Sequence, residues 1–497
     1  MFTIHAHQRI EQPGPRFIGQ MRSDPIEVSL ILGRVARFIK QLCLALTGES
    51  LHSCVVNPAD FYSSSLGSYI LSHGRILLHL TLFGCFLSGC GGSSTPAPMP
   101  IPVSAPPSPP SPSVLEAPTV INLYPDGSPS DGTRVFIFVT AVGSSSFNAP
   151  LPLAFDTGSS GMTLFAPNAF PGMATGCSVA VPAGCGFTFP AGQHSITFEN
   201  VTVTDVKATR CYGGSLGHAQ TGNLGFASVT FGDAAGTLTT ATMPILFYYK
   251  VTANDPPKCD DTGAIQDPSP AQQGWFGVNT QADGVVIDGI LATNESPLCA
   301  NDASSTCRVA SVFNYLQYAG TLDAGFLLTH QALQSCSINS GTCLPEPMLT
   351  IGLTPAQIAG FTSTSLVCPG GAPLAGFPDC SANIANSVIT VSAVDGSNPA
   401  SYSNTPALFD SGTPNMILAP PTGVNLPAAA GTNVIDNNEK VLVTLPNGYQ
   451  FSYLSTAAGA DETIVNVNGI GTNIIGIDFF QNHDFYIDIT TSAEGWR

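Results

Sequence analysis

Two short stretches, Phe155-Asp156-Thr157-Gly158-Ser159-Ser160-Gly161 and Phe409-Asp410-Ser411-Gly412-Thr413, carry one pattern twice: apolar residue, Asp, hydroxyl residue, Gly, hydroxyl residue. Each follows an apolar, strand-like run, residues 151–155 in the first case and 407–409 in the second. A glycine lets the backbone turn where a Cβ would obstruct it, so each Asp is expected on a tight turn with hydroxyls beside it. One such triplet arises in many loops by chance. Two, each behind a strand signal, point to a duplicated architecture. The two Asp residues stand 254 positions apart, a spacing that suits two lobes with insertions. Brought face to face, the loops would give a pair of carboxylates able to share one proton and one water.

Composition agrees with a strand-rich chain. Charged residues are 10% of the 497, against roughly 25% in typical globular domains. With 50 Gly and 41 Pro, the chain favours turns and many short strands over helices. Its length allows a large core and two or more domains. Beyond Cys90 there are 28 acidic and 8 basic residues, a balance of −20. Such a surface repels phosphate backbones, so no nucleic-acid partner is expected. The histidines in that region, His194, His218, His330 and His483, are scattered, with no close pair. No zinc spacing and no phosphate-binding glycine loop is visible, so neither a metal nor a cofactor is expected. The chemistry must then rest on carboxylates.

The first 118 residues read as address and tether. Residues 76–87 form an apolar run behind Arg75, too short to span a bilayer and suited to a secretory signal. It ends in Leu87-Ser88-Gly89-Cys90, which resembles a bacterial lipobox. The resemblance implies cleavage before Cys90 and lipidation of that Cys, with a membrane attached through the lipid. Residues 66–89 are the expected lipoprotein signal, and residues 1–65 an over-called upstream region, with translation starting later than Met1. The Pro/Ser-rich run within 90–118 cannot form a core and is expected to be an extended tether. Ten cysteines follow, an even number that, with an export signal, predicts an oxidising compartment and up to five disulfides. Near neighbours suggest Cys177/Cys185, Cys299/Cys307, Cys336/Cys343 and Cys368/Cys380, leaving Cys211 with Cys259; spacing alone does not fix that connectivity.

On the two Asp loops and the segments after them, the chain resembles the pepsin-like family of aspartic peptidases. In that family each Asp loop is threaded by a later apolar-apolar-Gly segment. Asp288-Gly289-Ile290-Leu291 looks like the first, with Ala292 where a Gly is usual, and Ile474-Ile475-Gly476 like the second. Tyr212-Gly213-Gly214-Ser215 and Thr221-Gly222-Asn223-Leu224-Gly225-Phe226 are similar to the flap hairpin, which makes Tyr212 the flap candidate. Residues 313–316, 320–322 and 349–353 resemble the segment that joins the lobes, and residues 477–480 with 485–488 the C-terminal strands. The chain departs from the family at Thr163, where Trp is common, and at Pro414. The first Asp loop also looks like one from a family of bacterial lipoproteins with Cys-rich insertions.

The resemblance implies an all-β, bilobal, pepsin-like fold with the active cleft between two related barrel-like lobes, residues 119–332 and 333–497. It implies an aspartic endopeptidase acting on polypeptide, expected as a monomer held by its lipid to the bacterial cell envelope, at the outer membrane. Asp156 and Asp410 are the catalytic candidates. By the same resemblance Thr157 and Ser411 brace the loops, Ser159 and Thr413 bond the outer carboxylate oxygens, and Gly158 and Gly412 turn their amides toward the carboxylates. The alternative is a catalytically inactive envelope lipoprotein of the same fold that binds peptide or another ligand in its cleft.

Overall fold

The computed structural model describes residues 108, 110–128, 133–212, 218–253, 262–267, 273–280, 286–287, 309–368, 370, 376–429, 432–456, 462–465 and 471–497. Cys90, the lipobox, the tether up to 107, Cys259, Cys299, Cys307 and residues 288–291 lie outside them. The described chain is all-β, with only one-turn or two-turn helices between strands.

Each Asp strand sits at the middle of a small parallel and antiparallel arrangement, and the arrangement occurs twice. In the first half, strand Ser145–Asp156 runs parallel to Gly274–Val278, with Phe276 opposite Phe155 and Gly277 opposite Asp156. The Gly274–Val278 strand is also antiparallel to Ser160–Phe165, the strand that leaves the first Asp loop. Ser160–Phe165 in turn runs parallel to Met243–Ala253. In the second half, strand Ala400–Phe409 runs parallel to Asn473–Ile475, with Ile475 opposite Phe409. Asn473–Ile475 meets Met416–Leu418 antiparallel, and that strand runs parallel to Thr463–Val465. Strands covered on both faces read as unbroken apolar runs, not as alternation. That is why Leu153-Ala154-Phe155 is buried without interruption, and why Ala407 and Phe409 are buried just before Asp410.

The threading segment of the first half therefore differs from the sequence expectation. Trp275-Phe276-Gly277 runs beside the Asp156 strand, the place expected for Asp288-Gly289-Ile290-Leu291, which lies outside the described residues. Gly277 is tightly confined at this place. A Cβ there would lie 2.5 Å from the Gly161 carbonyl oxygen and 2.6 Å from that of Ser159. Its counterpart Gly476 is as confined, 2.1 Å from the Asn415 carbonyl oxygen. Residues Val286–Ile287 pair instead with the strand Val201–Tyr212.

A third layer is built from both ends of the described chain. Thr119–Asp126 pairs with Glu346–Leu353, which pairs with Asp323–Leu328, then Phe485–Asp488, Ala493–Trp496 and Thr362–Ser365. Thr119–Asp126 also pairs with Arg134–Val142, so this ladder is continuous with the first half. The second half has its own seven-stranded sheet. The segment Ile477-Asp478-Phe479-Phe480, expected with the terminal strands, is a short helix, Ile477–Asn482.

The core is aromatic and follows the duplication. Phe155 meets the rings of Phe276, Phe313 and Phe326, and Phe409 meets those of Phe479, Phe485 and Trp496. Phe326 and Phe485, 6.2 Å apart, join the two clusters. Disulfides close Cys177–Cys185, Cys336–Cys343 and Cys368–Cys380, the three near-neighbour pairs expected among the described residues. Cys211 is also disulfide-bonded.

Candidate active site

The strand pairings carry the two Asp loops against each other, and four hydrogen bonds lock them. The Thr157 N–H donates to Ser411 Oγ at 3.1 Å and the Ser411 N–H donates to Thr157 Oγ1 at 2.9 Å. Each hydroxyl then donates across the boundary, Thr157 Oγ1 to the Phe409 carbonyl and Ser411 Oγ to the Phe155 carbonyl, both at 2.8 Å. Thr157 and Ser411 are fully buried, so every polar group in this brace has a partner where none could come from solvent.

Each carboxylate is held in the same way by its own turn. The Gly158 N–H donates to Asp156 Oδ1 and the Gly412 N–H to Asp410 Oδ1, both at 2.8 Å. Ser159 Oγ donates to Asp156 Oδ2, and Thr413 Oγ1 donates to Asp410 Oδ2 at 2.5 Å. The glycines face the opposite carboxylate at close range. A Cβ on Gly158 would lie 2.3 Å from Asp410 Cγ, and one on Gly412 would lie 2.7 Å from Asp156 Cγ. No larger residue fits either place without parting the loops. Pro414 does not disturb its turn, because the closing donors are the N–H groups of Gly412 and Thr413.

Asp156 and Asp410 are close enough to hydrogen-bond to each other. Burial pushes the Asp410 carboxyl well above the ordinary carboxylate range, and the neighbouring Asp156 charge adds to the rise. The hydrogen bonds from Thr413 and Gly412 favour the ionised form and oppose it. A pair so arranged loses its two protons in well-separated steps that belong to the pair.

Tyr212 lies at the end of the strand Val201–Tyr212, opposite His218 in the strand His218–Ala227. The two strands form the hairpin arms expected of a flap; the Tyr212 side chain and residues 213–217 lie outside the described part. Thr163 has a clear role. Its hydroxyl accepts from the Trp275 N–H at 3.1 Å and donates to Gln220 Oε1 at 2.8 Å, joining the threading strand to the flap arm.

Three side chains around the loops are not evident from sequence motifs. Trp275 presses its ring on Gly412, where a Cβ would come within 2.8 Å of it. The buried Arg210 donates to the Ser160 carbonyl behind the first loop. Arg134 Nε–H donates to the Gly412 carbonyl at 2.9 Å. No short sequence pattern marks them, because each acts on a group distant in the chain.

A cluster of Asp126, Cys336 and Cys343 brings three potential ligand atoms together. The two cysteines are joined in a disulfide, which removes their thiolates.

No family model matches the chain, and no curated protein matches it. Solved structures that resemble it include the aspartic proteinase from Irpex lacteus, at 15% identity and a TM-score of 0.42 over 76% of this chain and 97% of that one. Basic 7S globulin from soybean is similar at 12% identity and a TM-score of 0.38, over 77% of this chain and 96% of the other.

Proposed function

We propose that the chain is an aspartic-type endopeptidase whose catalytic pair is Asp156 and Asp410. The observation that carries this reading is the reciprocal arrangement of the two loops. It brings two carboxyls together in a site where burial and the neighbouring charge favour the protonated form of Asp410. In the singly ionised state, the carboxylate takes a proton from a water lying between the pair. The resulting hydroxide attacks a peptide carbonyl carbon, while the protonated partner donates its hydrogen bond to the carbonyl oxygen. Ser159 and Thr413 keep the outer oxygens occupied, so the inner oxygens are the ones left to act. The brace between Thr157 and Ser411 holds the geometry with no reorganisation during the reaction. The lipid anchor at Cys90 and a place at the bacterial cell envelope belong to the same proposal, and rest on the lipobox alone.

The test is hydrolysis of a peptide library between pH 2 and 8 by wild type, Asp156→Asn and Asp410→Asn. Cleavage at acid pH, at roughly pH 3–5, is expected from wild type, and none from either variant. The double variant should be little worse than a single one, since groups acting as a unit are strongly non-additive. A wild type that cleaves nothing, or Asn variants that keep full activity, would sink the peptidase reading. A second reading, a binding protein of the same fold, is favoured by Thr163, which replaces the usual aromatic and ties the flap arm to the threading strand. Retained affinity for peptides with no turnover would support it.

A further inference from the structure

Arg134 begins the strand Arg134–Val142, which lies antiparallel to the first Asp strand. Its Nε–H reaches the Gly412 carbonyl in the second Asp loop, 278 residues away. The guanidinium carbon lies 4.9 Å from the centroid of the Trp275 ring. The same indole abuts Gly412, so arginine, indole and glycine peptide form one contact group that joins the first half to the second loop. The reaction drawn above asks for no cation at this place. A protein with so few basic residues has nevertheless put one beside its carboxyl pair.

We propose that Arg134 is a positioning residue of the pair: it clamps the Gly412 peptide to the first half and supplies a permanent positive charge that keeps Asp156 and Asp410 singly ionised at acid pH. Its consequence for turnover rests on the peptidase reading, whereas its effect on the carboxyls is a property of the folded protein. A guanidinium stays protonated throughout the range in which carboxyls titrate. Burial lowers the proton affinity of Arg134, and the charges of Asp410 and Asp156 support it. Reciprocally, a fixed cation favours the ionised form of both carboxyls, so both steps of the pair fall at lower pH than they otherwise would. His218, at the start of the second flap arm, is a titratable group on which the Arg134 charge acts. Burial and the Arg134 charge hold its pKa down, so it adds a second cation only at the acid end. Arg210 is the further cation near the first loop, bound to the Ser160 carbonyl.

The experiment is a titration of the full chain carrying ¹³C-labelled aspartate, followed by carboxyl NMR. The pair's signals are assigned by their loss in Asp156→Asn and Asp410→Asn, and His218→Asn removes the imidazole contribution. In Arg134→Gln both steps of the pair are expected to rise by about one pH unit, and in Arg134→Lys they should stay near wild type because the charge returns. Arg134→Met, which keeps an unbranched stem over Trp275, replaces the Gln variant if that one does not fold. A neutral variant that folds and titrates as wild type overturns the proposal, as does a Lys variant shifted as far as Gln. The outcome does not depend on turnover. A wild type that hydrolyses nothing but shows the shift leaves the Arg134 proposal standing and removes only the peptidase reading. An active enzyme should move its pH–rate profile upward by the same amount in Arg134→Gln.

Discussion

Thr157 and Ser411 exchange hydrogen bonds in both directions, each backbone N–H donating to the other's hydroxyl oxygen at 3.1 and 2.9 Å. Neither loop has this shape by itself, because each takes half of its partners from the other. Replacing Thr157 with Val keeps the volume and strands the Ser411 N–H and the Phe409 carbonyl in a dry place. Leaving a buried polar group unpaired costs about 1–3 kcal/mol. Chemical denaturation should register a loss of that order in Thr157→Val and in Ser411→Ala, and Thr157→Ser should restore most of it.

The faces of Gly158 and Gly412 lead to a sharper effect on the site than on the fold. Gly412→Ala sets a methyl against the Asp156 carboxyl and the Trp275 ring. The clash should part the two loops and cost roughly 1–3 kcal/mol, with loss of any hydrolytic activity. A variant that melts as wild type and cleaves peptide normally would show that the two loops need not approach this closely.

Asp410 and Glu494 set a pH dependence of stability that runs opposite to that of a surface acid. Glu494 is buried, its Oε2 has no hydrogen-bond partner among the described residues, and burial raises its pKa well above the ordinary value. An acid with a raised pKa in the folded state stabilises fully below its unfolded pKa. It loses that contribution as pH rises through the interval up to its folded pKa. Wild type should therefore weaken from about pH 4.5 upward. Glu494→Gln and Asp410→Asn should each flatten the decline and raise the melting temperature at pH 7, with no gain at pH 3. The Asp410 variant pairs greater stability with lost hydrolysis. Melting curves from pH 3 to 8 decide this.

Asp484 gives the reverse slope. It accepts from the His330 N–H at 2.9 Å, from the His330 ring and from Arg497, whose Nε–H lies 3.0 Å away. Burial acts to raise its pKa, but these donors outweigh it and hold the group below the usual range. Its contribution is present above the unfolded pKa and disappears as pH falls through the folded value. Asp484→Asn should cost about 1–3 kcal/mol at pH 7 and little at pH 2. Equal losses at both pH values would mean that the charge on Asp484 is not what is being lost.

The parts legible from sequence were those whose chemistry is local. An Asp on a glycine turn carries its own donors, so the two loops stand out as short patterns, and near-neighbour cysteines close their own loops. Asp288-Gly289-Ile290-Leu291, followed by Ala292 where a Gly is usual, lies outside the described residues, and the strand seen beside the Asp156 strand is the one that carries Trp275-Phe276-Gly277. That a Cβ at Gly277 would meet the Ser159 and Gly161 carbonyls is revealed only by the assembled strands. Arg134 and Arg210 were invisible for a related reason. A cation's role depends on the carbonyl it reaches, and for Arg134 that carbonyl is 278 residues away.

The ladder that joins Thr119–Asp126 to the strands ending at Trp496 makes completion of the site a matter of timing. Phe409, the residue before the second Asp, packs 5.3 Å from the Trp496 ring, in the strand Ala493–Trp496. Because each loop takes partners from the other, neither Asp loop can close alone, and the Phe409 strand lacks part of its ring packing until the strand bearing Trp496 is in place. Closure of the site is thus a late, long-range event: Asp156 and Asp410 meet only when segments 254 residues apart have paired.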